Sequence, residues 1–532
     1  MKIKTLLNIA LAAVTLTACN NSDEITNIEE AQSKGYVSMS ITYPRQNIGR
    51  SALATKGVDA RATGDENKIK TLQVYYFDGF SDNAKVVAIK DIDSSTQSYS
   101  ATHAVPVTAK AMMVVANAIE TPVLGKTLGS INQVLTVDNV NALIGGAGRD
   151  AFIMTNSKGG LEPSNADGSN KDLTLYADEA TAKNNTLTVK IDRVVSKVVL
   201  KTAQGGIPSD AGNAHVVLKK WDLNVLNKKY FLMSERVKTY FEGLSGNSIW
   251  SSNDQYRLGS YRIDPNYTGQ TMSSQKDNYT VYSGTINDLT TAKEPGVEDY
   301  CLENTQDKKD NVKAYATQVL VMAQWTPKTV TDVDGKPVPL KSGESFFSIN
   351  GILFSKVTLL NTIEAEVTNK LKDANPSTYV TKYTDALNAY LVNYLKVSAV
   401  TIPTSVPLGS TPEEEARIVK TAFDHAQYYT KGGQWIDKVG NLEINFYHEA
   451  MSYYTLPVKH DFRAGTAGAV NELGKFGVLR NSSYVITLNK IVHIGSPVIP
   501  DPDGEDLEIE EKYLSATIEI NPWGVYEYEE EL

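Results

Sequence analysis

Tyr36-Val37-Ser38-Met39-Ser40-Ile41-Thr42-Tyr43 alternates apolar and polar side chains until Pro44 stops the pattern. A period of two puts Val37, Met39, Ile41 and Tyr43 on one face of an extended strand. At ~1.5–3 kcal/mol each, burying four such side chains contributes about 6–12 kcal/mol. That rivals the ~5–15 kcal/mol stability of a whole domain. The segment is therefore expected as a strand inside a β core. The chain on its C-terminal side does not continue it. Residues 45–67 are small, polar and basic, and Arg45, Arg50, Lys56 and Arg61 lie open to a trypsin-like enzyme. A strand set apart from its domain by a cleavable linker needs an explanation.

On its N-terminal side the chain carries an address. Lys2 and Lys4 precede an apolar run from Leu6 to Leu16, which ends in Leu16-Thr17-Ala18-Cys19. That order is a secretory signal closed by a lipobox. Cys19 is expected to be lipidated and to become the first residue of a bacterial lipoprotein. The following Asn20-Asn21-Ser22-Asp23-Glu24 reads as an acidic tether, and it resembles the short acidic signal that exports Bacteroidota surface lipoproteins across the outer membrane.

The chain has 532 residues, enough for two or more cores. With 41% hydrophobic and 21% charged residues the composition is globular. A formal net charge of −10 argues against nucleic acid as a partner, which would call for a basic surface. No apolar run after Leu16 reaches the ~18 residues of a membrane span. Of the two cysteines, Cys19 is assigned to the lipid, which leaves Cys301 as a buried small hydrophobe.

Further strands follow the first. TLQVYYF (71–77), AMMVVA (111–116), the Phe152-Ile153-Met154 run after a glycine turn, and the long alternating TLTVKIDRVVSKVVL (186–200) read as β. So do residues 216–226, 318–325, 442–447, 450–456 and 484–494. Spacing of this kind suggests sandwiches. Residues 358–394 and 411–429 carry helical spacing, the latter opened by Thr411-Pro412 and three glutamates. In the tail, Leu514, Ala516, Ile518 and Ile520 share one face, and Trp523, Val525 and Tyr526 follow among acids.

Catalytic templates fail. His448-Glu449 lacks the second histidine of a zinc-protease motif, because position 452 is Ser. There is no Gly-x-Ser-x-Gly elbow. Asp332-Val333-Asp334-Gly335 and Asp501-Pro502-Asp503-Gly504 lack the closing glutamate of a calcium loop and read as turns. No cofactor, no metal and no enzymatic activity are expected.

Three stretches carry a family resemblance. They are YVSMSI (36–41) with Ala60-Arg61-Ala62-Thr63-Gly64-Asp65, the segment Arg480-Asn481-Ser482-Ser483-Tyr484 leading into a strand that ends at His493, and the terminus from Asn521 to Leu532. The chain resembles the Bacteroidales type V fimbrial subunits, above all the stalk subunit of the short (minor) fimbriae. The resemblance implies a mainly β fold of two β-sandwich (transthyretin-like) domains, the second with inserted helices. The divisions expected are a signal peptide (1–18), a lipidated propeptide holding the removable first strand (19–61), an N-terminal domain (62–190) and a C-terminal domain (191–532). The last contains a helical insertion at about 355–430 and a donor strand at about 507–532.

It also implies a mechanism. An arginine-specific surface protease cuts at Arg61-Ala62, or alternatively at Arg50-Ser51. The cut removes the lipid together with Val37, Met39, Ile41 and Tyr43. A neighbouring copy then inserts its donor strand (Leu514, Ala516, Ile518, Ile520, Trp523, Val525, Tyr526), and head-to-tail repetition gives a filament. Accessory anchor and tip subunits complete the fimbrium, which serves adhesion and biofilm formation. The precursor sits in the outer membrane through its lipid, and the product is extracellular. A surface glycan-binding lipoprotein of a nutrient-uptake system is the other reading, because tyrosine-rich β surfaces suit sugar stacking and the chain has 28 tyrosines in all.

Overall fold

The computed structural model describes residues 33–42, 65–95, 99–156, 160–165, 168–203, 207, 214–233, 235–236, 261–268, 275–282, 291–307, 313–331, 335–349, 352–355, 433–439, 442–460, 476–502 and 514–522. Cys19, Tyr43, Arg50, Ser51, Arg61, Ala62, Trp523, Val525, Tyr526 and the helices expected over 358–394 and 411–429 lie outside the described residues.

The described chain is mainly β. Its first sheet is built from β1 (Lys34–Thr42), β2 (Leu72–Phe77), β3 (Val86–Asp91), β4 (Ser100–Pro106), β5 (Ala111–Ala116), β6 (Met154–Asn156) and β7 (Leu187–Arg193). Their order is β3-β2-β5-β6-β7-β1-β4. The apolar run of β5 is buried at every position, as a strand covered on both faces requires. β6 starts two residues later than the apolar run Phe152-Ile153-Met154 suggests, because Phe152 and Ile153 pack into the core from the preceding loop. That loop turns at Gly145, whose φ is +86° and where a Cβ would meet the Ala151 nitrogen at 2.7 Å.

Residues 186–200, which alternate as if one strand, form two. The chain breaks at Val194 and continues as β8 (Val195–Thr202) in another sheet. That sheet runs β10-β8-β19-β20, with β10 (Glu298–Leu302), β19 (Ser482–Ile491) and β20 (Leu514–Pro522). A three-stranded sheet, β9-β11-β18, comprises β9 (Ala214–Asn224), β11 (Gln318–Pro327) and β18 (Met451–Pro457). A six-stranded one uses β12 (Thr329–Thr331), β13 (Pro337–Pro339), β14 (Phe346–Ile349), β15 (Ile352–Ser355), β16 (Gly433–Val439) and β17 (Leu442–Tyr447).

Two large cores hold these sheets. The first joins Val37, Met39 and Ile41 to Val74, Tyr76, Met112, Val114 and Val189. The second joins Val198 and Leu200 to Trp221, Val321, Tyr454, Tyr484 and Ile486. Cys301 belongs to the second core, and burial pushes its thiol pKa up.

Candidate functional site

β1 is not an edge. It lies between β4, to which it is antiparallel, and β7, to which it is parallel. Val37, Met39 and Ile41 are 2%, 0% and 2% exposed, so three of the four side chains named from alternation are core residues. Within the first sheet β4 pairs with β1 alone. Taking β1 away would leave β4 without its neighbour and bare the pairing edge of β7.

The ends and the middle of β1 are pinned differently. At its start, the Tyr36 amide donates to the Tyr176 carbonyl at 2.8 Å and the Tyr176 amide donates back at 2.9 Å. At its end, the Ile41 amide donates to the Tyr99 carbonyl at 3.0 Å. In the middle, Ser38 is 5% exposed and sits in a chain of hydroxyls. The Thr102 hydroxyl donates to Ser38 Oγ at 3.0 Å, Ser38 Oγ lies 2.9 Å from Thr186 Oγ1, and the Thr186 hydroxyl donates to the Lys183 carbonyl. A short helix, Glu179–Lys183, capped by Asp178, packs over this outer face. Pairing with β7 starts only at Met39, opposite Leu187. Beside Val37 and Ser38, where the strands part, a cavity of about 310 Å³ opens, lined by Leu173, Tyr176, Thr186 and Leu187.

The tail strand is already housed in its own chain. β20 pairs antiparallel with β19 from Leu514 opposite Ile491 to Pro522 opposite Ser482. Among the described strands it is the edge of its sheet. Ala516 and Ile518 pack on the second core while only partly buried, and Thr517 is exposed. Among the described residues this strand has one neighbour, where β1 has two, and is less enclosed than β1.

Residues 445–529, which include β18, β19 and β20, match the family model of the major fimbrial subunit protein, type IV, fimbrillin, C-terminal. The end of the chain is fimbrillin-like. Among solved structures, a fimbrillin of Porphyromonas gingivalis is similar at 13% identity, over 93% of this chain and 98% of that one, with a TM-score of 0.39. The tip fimbrial protein of the same organism, with a C-terminal truncation, is similar at 10% identity, over 92% of this chain and 100% of that one, with a TM-score of 0.33. No curated protein matches.

The fimbrillin-like region also reaches the linker's far end. Arg480 and Asn481 head β19, and Asn481 holds a φ of +58°. Asn481 donates to Asp192 at 2.8 Å and accepts from the Arg193 amide. Arg193 reaches the Glu66 carbonyl and the Asn67 side chain. The Glu66 carboxylate accepts from Lys197 at 3.0 Å and from the Tyr300 hydroxyl. Arg262 pairs with Asp192 at 2.7 Å, and Arg480 pairs with Glu303 at 3.2 Å. Glu66, Asp192, Arg193, Lys197, Arg262, Glu303 and Arg480 are all buried. Sequence reading passed over this junction. Its one signal was Arg480-Asn481, already among the stretches that carry the resemblance.

Among the described residues no three histidine, cysteine or carboxylate side chains converge as metal ligands. No described helix is long and apolar enough to cross a membrane.

Proposed function

We propose that this chain is a structural subunit of a cell-surface fimbrium, of the stalk type of the short fimbriae, and that it polymerises by strand exchange. One observation carries the reading. A strand whose apolar face is buried in the core is joined to that core covalently through an arginine-bearing linker. Export as a lipoprotein through Cys19 brings the subunit to the surface. Cleavage after Arg61, or after Arg50, frees β1 and the lipid together. Glu66 then anchors the new N-terminus in the junction, so the cut does not loosen the body. The vacated seat between β4 and β7 offers unpaired backbone and an apolar trough, which an incoming strand satisfies by β-augmentation. The edge strand β20 supplies it from a neighbour. Donor and seat lie on different parts of the subunit, so the contact does not close and a filament results. Anchor and tip subunits end it, and the fimbrium serves adhesion and biofilm formation.

Deleting residues 507–532 tests this. The expected result is loss of SDS-resistant multimers with the monomer still folded and exported. A deletion that leaves the multimer ladder intact refutes the reading.

A further inference from the structure

The first strand and the tail share more than alternation. Tyr36-Val37-Ser38-Met39-Ser40-Ile41 lies without a gap on Tyr513-Leu514-Ser515-Ala516-Thr517-Ile518. Tyrosine, serine and isoleucine are identical. Val against Leu and Ser against Thr each differ by one carbon, and Met39 against Ala516 is the one large difference in size. Alternation alone asks for no particular polar residue, so the shared hydroxyls need a cause.

The seat supplies one. Ser38 stands between Thr102 and Thr186 at hydrogen-bond distance from each, nearly buried. Only a small hydroxyl fits there and keeps both contacts. A slip of one residue turns the apolar face outward. A slip of two in one direction puts Tyr513 on the Ser38 site, and its phenol oxygen, a ring's length from the backbone, cannot stand between Thr102 and Thr186. A slip of two in the other puts Thr517 there and moves Glu519 to the place of Ser40, beside Ser100 and Thr188. In the unslipped register Glu519 takes the place of Thr42, whose neighbour on β7 is Lys190. Opposite charges then lie side by side on the outer face. The match also has a natural limit. A Cβ at Gly35 would meet Leu175 Cβ at 2.8 Å, so Lys512 marks where the seated stretch begins.

Resting on the strand-exchange reading above, we infer that the tail of a second copy of this chain enters the β1 seat in one fixed register. Tyr513–Ile518 takes the places of Tyr36–Ile41. Ser515, through Thr102 and Thr186, and Glu519, beside Lys190, are the residues that set it.

Two differently tagged full-length copies test it, one carrying Thr102→Cys and the other Ser515→Cys, co-expressed and allowed to assemble. Mild oxidation of the fimbriae should give a heat-stable, reductant-sensitive dimer carrying both tags. The shifted pair, Thr102→Cys with Thr517→Cys, should give at least tenfold less. If the shifted pair links instead, the register is wrong while strand exchange stands. If fimbriae form and neither pair links, the inferred register is overturned, and a third pair, Thr102→Cys with Tyr513→Cys, tells the opposite slip, in which it links and exchange stands, from failure of the exchange reading, in which it does not. Should a cysteine variant not assemble, Ala516→Met decides. In the inferred register it refills the space of Met39 and raises the temperature at which SDS dissociates the polymer. An unchanged or lower temperature overturns the register.

Discussion

The Glu66 carboxylate lies 3.0 Å from the Lys197 ammonium, with both side chains almost wholly buried. This pair ties the segment just after the arginine-bearing linker to β8. Burial pulls the Lys197 pKa down, and the charge of Glu66 works against that pull. A buried pair of this kind adds little net stability, but half of one is costly. Glu66→Ala is expected to lower the unfolding free energy by about 3–5 kcal/mol. Combining it with Lys197→Met should recover most of the loss. Denaturant titration of the parent, the single variant and the double variant checks this.

Met39 is fully buried, and its truncation to Ala creates a cavity. In the uncut precursor the expected cost is about 2–5 kcal/mol. On the strand-exchange proposal the residue is removed before assembly, so Met39→Ala should leave the resistance of fimbriae to heat and SDS unchanged. Thermal unfolding of precursor and of fimbriae, side by side, measures the contrast. An equal loss in both would mean that β1 stays in the polymer.

His103 sits on β4, opposite Val37, with Nε2 against the Tyr76 hydroxyl. Burial, helped by the nearby charge of Lys90, lowers its pKa from 6.5 to about 4. Tyr76, its own pKa raised by burial, stays a phenol and can donate to the neutral ring. As pH falls the unfolded chain takes up the proton first. The contribution of the neutral imidazole is complete above about pH 6.5, is lost between there and pH 4, and reaches its floor below. At pH 5 the loss is about 1–2 kcal/mol after allowing for solvent screening. Asp264, whose pKa burial pushes up to about 7, works in the opposite sense. The check is therefore the difference between His103→Gln and the parent at each pH. The variant should lose less stability between pH 7 and pH 4.5.

Much of the fold was legible because burial leaves a pattern. β1, β5 and β20 announce themselves by alternation or by an unbroken apolar run. β4 does not. Its Ser-Ala-Thr-His-Ala-Val-Pro carries one fully buried apolar side chain, Val105, and it is a strand because β1 lies beside it. The break at Val194 was hidden because both of its flanks alternate. The junction was least legible. Its buried charges look like ordinary polar positions, and their partners are remote in the chain, as with Arg193 and Asn481 at a separation of 288 residues.

Two of the linker's three arginines, Arg50 and Arg61, should be redundant in one respect. Either cut frees β1, so Arg61→Ala alone should shift the mature N-terminus to Ser51 and preserve fimbriae. Arg50→Ala with Arg61→Ala should accumulate lipidated monomer. Immunoblots of surface fractions with an antibody against residues 36–43 distinguish these outcomes.

Mass spectrometry of the N-terminus of subunits in purified fimbriae tests the central claim most directly. Chains starting at Ala62, or at Ser51, with no trace of residues 34–42, are the expected result. Polymerised chains that still begin at lipidated Cys19 would contradict it.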